Sequence, residues 1–177
     1  REIAAHLASL GARVAVHGTG PTTTQSFGEA DSLEAVADAI AAESGSPTLA
    51  VWGDLTDPAV VSQIAARIRE WFGQIDILVN CAGGDVGTRG VQAPQAGKPE
   101  GNDAVHISVE DIRKVLDRNL LTCIYCCREV APEMMARKQG WIVNIGSIAG
   151  MTGLEGSAIY ATAKAAVHEY TRCLAVL

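Results

Sequence analysis

The segment Ser157 to Tyr170, SAIYATAKAAVHEY, places a phenol and an ammonium four residues apart, at Tyr160 and Lys164. Its alanine-rich composition predicts a helix, on which these two side chains lie one turn apart on the same face. A free tyrosine has a pKa of about 10, and a nearby ammonium favours the phenolate form. Such a pair can give a proton to a carbonyl or take one from an alcohol. A chance surface pair is the alternative.

Two further polar residues have types and positions that suit the same chemistry. Ser147 directly follows the β-rich run at 141–146, and its hydroxyl could donate to an oxygen on which charge builds. The alternative for this serine is a simple cap or turn role. Asn119 interrupts an apolar helical stripe, where a buried amide must be hydrogen-bonded. A bond to its own helix backbone is the alternative there. The stripe consists of Ile112, Leu116, Asn119 and Cys123.

The elements that must position these residues alternate between strands and helices. Nearly continuous apolar runs predict strands at 12–17, 48–54, 76–80 and 141–146. Helical patterns fall near 1–10, 32–44, 57–72, 108–138 and 157–177. Asp57 and Pro58 suit a helix start, and Ser108 with Asp111 resembles a capping box. This order predicts an α/β fold with an open, doubly wound, mostly parallel sheet.

Parallel sheets bind ligands beyond the carboxyl ends of their strands. The residues expected just after the strands are His17, Gly18 and Thr19, then Asp54 and Leu55, then Asn80, Ala82 and Gly83, and finally Ser147. Small side chains at 82 and 83 would let a flat ligand lie against the backbone. The segment 83–106 has no periodic pattern, and we expect it to shape a substrate site, with a mobile insertion as the alternative.

Composition excludes several other classes of protein. The 177 residues carry a net charge of −6 with no basic run, which argues against nucleic acid or an anionic membrane as partner. No apolar run could cross a bilayer, and no signal peptide is visible. Most of the five cysteines lie in predicted helices, which favours reduced thiols, a cytoplasmic location and no metal site.

The motifs together resemble the short-chain dehydrogenase/reductase family, and most closely its 3-oxoacyl-carrier-protein reductases. NCAG at 80–83 resembles the family's N-N-A-G motif. NIGS, followed thirteen residues later by YATAK, resembles its serine and Tyr-x-x-x-Lys active site. DRNL at 117–120 resembles the segment that carries its catalytic asparagine, and GDLTD at 53–57 the aspartate that contacts adenine.

The resemblance implies a single, partial NAD(P)-binding Rossmann-like domain over 1–177, with the strand order 3-2-1-4-5-6-7 in the complete family fold. It implies catalytic roles for Asn119, Ser147, Tyr160 and Lys164, with a water on Asn119 acting as a proton relay. The last two also contact the cofactor, as do the strand-end residues named above. The substrate would be a small carbonyl compound or secondary alcohol, such as a 3-oxoacyl thioester, and the complete protein a homodimer or homotetramer.

The cofactor preference depends on the end of the first strand in this chain. An acidic residue there would bond the ribose hydroxyls and exclude a 2′-phosphate, but the chain has His17. No arginine lies between 17 and 31, so the usual phosphate clamp is also absent, although Thr19 and 22–24 offer hydroxyls. We expect NADP(H) to be favoured over NAD(H).

Helical patterns run to both ends of the chain, so we expect it to be a fragment, and the family's glycine-rich phosphate turn would precede Arg1. We therefore expect the 177 residues alone to fold poorly and to be inactive. Two alternatives to an oxidoreductase stay open. One is a non-catalytic dinucleotide-binding regulatory module, and the other is an epimerase or dehydratase on the same fold.

Overall fold

In the computed structural model, which describes residues 1–177, strands and helices alternate along the chain as predicted. The strands are β1 (Val14–Gly18), β2 (Thr48–Trp52), β3 (Ile77–Asn80) and β4 (Trp141–Asn144). The helices are α1 (Glu2–Ser9), α2 (Leu33–Ser44), α3 (Pro58–Phe72), α4 (Val109–Leu116), α5 (Thr122–Arg137) and α6 (Ala158–Leu174). The chain divides into two compact units, residues 1–75 and 76–177.

In the first unit, β1 and β2 form a parallel two-stranded sheet with helices packed against it. Val14 pairs with Thr48 at one end and Gly18 with Trp52 at the other. Residues of α1 and α2 pack against one cluster of buried side chains, around Ile40 and Val16. An apolar stripe of α3, formed by Ile64, Ile68 and Phe72, packs in a second cluster around Val51. The strands are therefore covered by apolar helix faces, as the continuous apolar runs indicated.

In the second unit, β3 and β4 form another parallel pair, with Ile77 opposite Trp141 and Asn80 opposite Asn144. Apolar side chains of α5 and α6 surround Cys127 and Val167, together with Leu78 and Ile142 from the strands. In the family's numbering, β1 and β2 correspond to strands 2 and 3, and β3 and β4 correspond to strands 4 and 5. The two observed pairings therefore agree with the expected order 3-2-1-4-5-6-7, and each pair forms its own sheet.

Several boundaries differ from prediction, and one difference moves candidate site residues. β1 runs to Gly18 because its ladder with β2 continues to Trp52, so His17 and Gly18 lie within the strand and not after it. β2 and β4 end two residues earlier than predicted, whereas β3 ends at Asn80 as predicted and begins one residue later. The predicted helix at 108–138 is interrupted by a π-helical turn, Asp117–Leu121, between α4 and α5.

The two predicted helix starts have the expected caps. The Asp57 carboxylate accepts from Ala59 N at 2.8 Å, followed by Pro58 at the first helical position. Ser108 Oγ accepts from Asp111 N at 3.0 Å. Asp111 does not reproduce a capping box, because Oδ2 accepts from the Ser108 hydroxyl and Oδ1 from Thr88.

The segment 83–106 is irregular, as its composition predicted. Its one short helical turn is Pro94–Gly97, and two further short turns elsewhere, Thr23–Phe27 and Ile148–Met151, were not predicted. Among the helices of the structure, none is both long and apolar enough to span a membrane.

Candidate active site

The centre of the candidate site is Lys164, whose side chain is buried inside the second unit. Only 5% of the residue is exposed, and Nζ donates to Ile145 O at 2.8 Å. Nζ lies 5.8 Å from the centroid of the Tyr160 ring, one helical turn away. Burial lowers the pKa of Lys164 from 10.5, while the Cys123 and Cys81 thiols oppose that shift. The predicted Tyr–Lys pair is thus a buried cation under a half-buried phenol, and not a surface pair.

Gly83 lies where Lys164 and Asn119 meet. A Cβ on Gly83 would stand 2.6 Å from Asn119 Oδ1 and 3.5 Å from Lys164 Nζ. The residue also has a φ of +152°, a conformation that L side chains rarely adopt. Cys81, Ala82 and Gly83 are all exposed, so small groups form an open backbone surface next to the lysine. This surface could accept a flat ring.

Asn119 is 1% exposed, which confirms the prediction that its amide is buried. Its Oδ1 accepts from Gly84 N, and its Nδ2 donates to Gly84 O, both at 2.8 Å. Nδ2 also donates to Val115 O at 2.9 Å, one turn back along the helix. Asn119 stands in the π-helical turn, a feature that recurs at functional sites. The side chain therefore clamps the loop after β3, and it also makes the bond to its own helix that was the alternative.

Ser147 begins the turn Ile148–Met151, which packs against α6. Its Oγ accepts from Ala149 N at 3.1 Å, so the cap role considered as the alternative is present. Accepting this bond leaves the hydroxyl proton free to donate to another oxygen. The Ser147 backbone N–H donates to His168 Nε2 at 3.4 Å. Ser147 is two residues beyond Ile145, the acceptor of the Lys164 bond, and this connects the serine to the lysine.

The side chain of Asn80 faces the interior. Its Nδ2 donates to Asn144 Oδ1 at 2.8 Å and to Cys127 Sγ at 3.2 Å, while Asn144 Nδ2 donates to Thr171 Oγ1 at 2.9 Å. Since both amide hydrogens of Asn80 are used there, its side chain has no donor left for the predicted contact with a cofactor. The amide instead joins β3, β4, α5 and α6 beneath the site.

The remaining predicted cofactor residues gather in the first unit, at the carboxyl ends of β1 and β2. His17 Nε2 bonds Gly53 O at 3.0 Å, and burial lowers the pKa of this imidazole from 6.5. Gly53 N donates to Gly18 O at 3.0 Å. The carboxylate of Asp54 accepts from the backbone and hydroxyl of Thr56. Leu55 is half-buried beside it.

Exposed hydroxyl and amide groups follow β1 directly. The Oγ1 atoms of Thr19 and Thr23 lie 2.7 Å apart, and Gly20 N donates to Thr23 Oγ1 at 3.2 Å. Thr24 is buried and donates to Ala30 O, so it offers nothing to a ligand. Because His17 is neutral at physiological pH and already bonded, it supplies no cation to a phosphate. Thr19, Thr23 and the exposed Thr22 are the hydroxyls available at this strand end.

The irregular segment after Gly84 is tied to both sides of the site. Asn102 Nδ2 donates to Asp85 Oδ2 at 2.8 Å and closes the base of the loop. Asn102 O accepts from Ser157 N at 2.6 Å, three residues before Tyr160. Sequence reasoning assigned no role to Gly84, Asn102 or His168. Only the spacing of His168 from Lys164, four residues on the same helix face, offered a signal.

Comparison with known proteins accounts for these features together. The sequence profile described as short chain dehydrogenase matches residues 1–177. The chain is 32% identical over 171 residues to 2,3-dihydroxy-2,3-dihydro-p-cumate dehydrogenase of Pseudomonas putida, covering 97% of this chain and 61% of the relative. It is 30% identical over 175 residues to the 3-oxoacyl-(acyl-carrier-protein) reductase FabG of Escherichia coli, covering 99% and 61%. The chain thus spans about 60% of the length of these relatives.

Two solved structures have the same fold. A short-chain dehydrogenase/reductase from Burkholderia xenovorans superposes with a TM-score of 0.79 at 27% identity, covering 98% of this chain and 60% of that one. A variant of actinorhodin polyketide ketoreductase with NADPH gives 0.80 at 25% identity, covering 99% and 59%. These neighbours confirm the predicted doubly wound, Rossmann-like α/β fold. The chain belongs to the short-chain dehydrogenase family of oxidoreductases.

Proposed function

We propose that the protein transfers a hydride between a nicotinamide dinucleotide and a carbonyl compound or secondary alcohol, using Tyr160, Lys164, Ser147 and Asn119. The observation that carries this proposal is the buried Lys164 ammonium, which stands beside the Tyr160 ring and the exposed backbone of Gly83. A buried cation without a carboxylate partner is costly to a fold, and such a group typically serves chemistry.

In the proposed reaction Tyr160 supplies the proton that the carbonyl oxygen takes up, or removes it from the alcohol. The Lys164 ammonium stabilises negative charge on the phenol oxygen. The Ser147 hydroxyl donates to the substrate oxygen as charge builds there, since its own lone pair is held by Ala149 N. Asn119 keeps Gly83 and Gly84 in place, and the water-borne proton relay is proposed for the same residue.

The residues present fit a nicotinamide cofactor, which supplies the hydride that no side chain can carry. Ala82 and Gly83 would hold the ring against exposed backbone, next to Lys164. In the first unit, the ends of β1 and β2 would hold the adenosine part through Gly18, Thr19, Asp54 and Leu55. We propose NADP(H) as the preferred form, because no acidic side chain ends β1 and the Thr19 and Thr23 hydroxyls can donate to a 2′-phosphate.

The substrate class proposed is a 3-oxoacyl thioester or a small ketone, by similarity to the reductase relative from Escherichia coli. By similarity to the same family, we propose that the complete protein assembles as a homodimer or homotetramer. We also propose a single NAD(P)-binding domain, since one profile covers 1–177. All five cysteines are free, which suits the proposed reducing, cytoplasmic surroundings.

The test compares Tyr160→Phe with Tyr125→Phe in the full-length gene product. The first variant removes only the phenol hydroxyl at the site, while the second makes the same change on α5. NADPH and NADH oxidation would be followed with 3-oxoacyl thioesters and small ketones. We expect Tyr160→Phe to lower kcat by at least about a hundredfold and Tyr125→Phe to leave it unchanged. Equal activity of the two variants would overturn the proposal.

A further inference from the structure

The turn Ile145–Ser147 is held by α6 at both of its ends. Lys164 Nζ donates to Ile145 O at 2.8 Å, and the Ser147 backbone N–H donates to His168 Nε2 at 3.4 Å. The two side chains come from successive turns of α6, on the face that also carries Tyr160. One helix face therefore supports the carbonyl before Gly146 and the N–H after it.

Gly146 shows how closely the imidazole packs on this turn. A Cβ on Gly146 would stand 2.2 Å from His168 Nε2 and 2.6 Å from Cδ2, so any side chain there would displace the imidazole. Gly146 is not among the residues with positive φ, so the backbone conformation does not require glycine. A glycine at 146 leaves the space that the His168 ring occupies in this position.

The bond from Ser147 N uses His168 as an acceptor, through the lone pair of Nε2. Ser147 in turn accepts from Ala149 N through its Oγ at 3.1 Å. Its backbone is therefore held from α6 and its hydroxyl oxygen from the following turn, which leaves the hydroxyl proton as its one free donor.

We propose that His168 is a positioning residue for Ser147. It holds the Ser147 backbone so that the hydroxyl points at the oxygen whose proton Tyr160 transfers, and it does so without touching substrate. This inference rests on the proposed oxidoreductase function. Displacing a catalytic group by about 1 Å lowers a rate by about a hundredfold, so the imidazole bond matters even though it is long.

The experiment uses His168→Gln and His168→Asn in the full-length gene product. The Gln side chain can place an acceptor near the position of Nε2, whereas the shorter Asn cannot reach Ser147 N, and both are polar and neutral. We expect Asn to lower kcat for carbonyl reduction by about ten- to a hundredfold and Gln to keep it within about threefold. The KM for NADPH should not change in either variant. Equal effects of the two substitutions would overturn the proposal.

A double-mutant cycle separates positioning from general destabilisation. Ser147→Ala removes the hydroxyl, so His168→Asn should cause no further loss of kcat in that background. A loss as large as in the native background would mean that His168 acts through the fold, and the proposal would be wrong. Failure here is distinct from failure of the proposed function, because Tyr160→Phe would still abolish turnover in a true oxidoreductase of this kind.

Discussion

The side-chain amide of Asn119 bonds the backbone of Gly84 twice, as acceptor from its N–H and as donor to its carbonyl, both at 2.8 Å. A third bond, to Val115 O, leaves neither amide hydrogen unused. The residue is fully buried, so each of these bonds replaces a bond to water that folding removed. The loop that presents Gly83 is thus fixed by one side chain from the π-helical turn.

Replacing Asn119 with Asp should destabilise the protein and abolish activity. The carboxylate cannot donate, so Gly84 O and Val115 O each lose the hydrogen bond from Asn119. We expect the free energy of unfolding to fall by about 3 kcal/mol, measured by urea denaturation. Gln63→Glu, the same chemical change on the exposed face of α3, should alter stability by less than about 0.5 kcal/mol. Equal effects at the two positions would contradict the assigned bonds.

The buried Lys164 should make stability depend on pH in a defined direction. Because its folded-state pKa lies below 10.5, the unfolded chain binds more protons between the two values. The free energy of unfolding of the native protein should therefore rise relative to Lys164→Met as the pH increases through that window. Urea denaturation at a series of pH values measures this difference.

Lys138→Met is the control for this prediction, because Lys138 is exposed at the end of α5. Its difference from the native protein over the same pH range is the baseline for the comparison. A Lys164→Met difference that only follows this baseline would mean that the Lys164 ammonium is not desolvated, and the proposed site would lose its central feature.

In the native protein, the five thiols should fall into two classes of reactivity towards alkylating reagents. Cys81 and Cys173 are exposed, whereas burial raises the pKa of Cys126 to about 12, and Cys123 and Cys127 are buried against Asn144. Mass spectrometry after iodoacetamide treatment should find two adducts at neutral pH and five after denaturation.

The two exposed cysteines, Cys81 and Cys173, also test where the cofactor binds. Cys81 precedes the Ala82–Gly83 backbone proposed to hold the nicotinamide ring, so NADPH should slow its alkylation. Cys173, near the end of α6, serves as an internal control whose rate should not change. Equal rates at Cys81 with and without saturating NADPH would contradict the proposed placement of the ring.

Cofactor preference should respond to charge at Thr19. Thr19→Asp places a carboxylate where a 2′-phosphate is proposed to bind, and we expect kcat/KM with NADPH to fall at least about tenfold, or ~1.4 kcal/mol. The value with NADH should change by less than about threefold. Thr19→Asn introduces an uncharged side chain of the same size as Asp. Comparing the two variants separates the effect of the negative charge from the effect of losing the hydroxyl. A loss with NADH as large as that with NADPH would place the 2′-phosphate elsewhere.

The sequence predicted the strands and helices well, because they follow from local pattern, and the catalytic roles of the four motif residues stay a prediction. Apolar runs determine strands, and Tyr160, Lys164, Ser147 and Asn119 carry family motifs. The bonding partners could not be predicted, since they depend on backbone atoms distant in the chain. Gly84 as partner of Asn119 and Ile145 as partner of Lys164 are examples. The end of β1 was misplaced because Gly18 is a poor strand former, yet it pairs with Trp52.

The irregular segment 83–106, which bonds Ser157 through Asn102, offers the last prediction. Asn102 donates to Asp85 Oδ2 at the base of the loop and accepts from Ser157 N at the start of α6. Asp85→Ala removes the first bond, together with the 3.8 Å ion pair between Asp85 and Lys98, and leaves the second, so α6 and Tyr160 should stay in place while the loop loosens. We expect KM for the carbonyl substrate to rise about three- to tenfold with kcat nearly unchanged, because uniform binding is lost. Glu100→Ala, which removes an exposed ion pair with Arg89 in the same loop, is the matched control and should change neither constant. A fall in kcat without a change in KM for Asp85→Ala would show that the loop base supports the chemistry instead of the substrate.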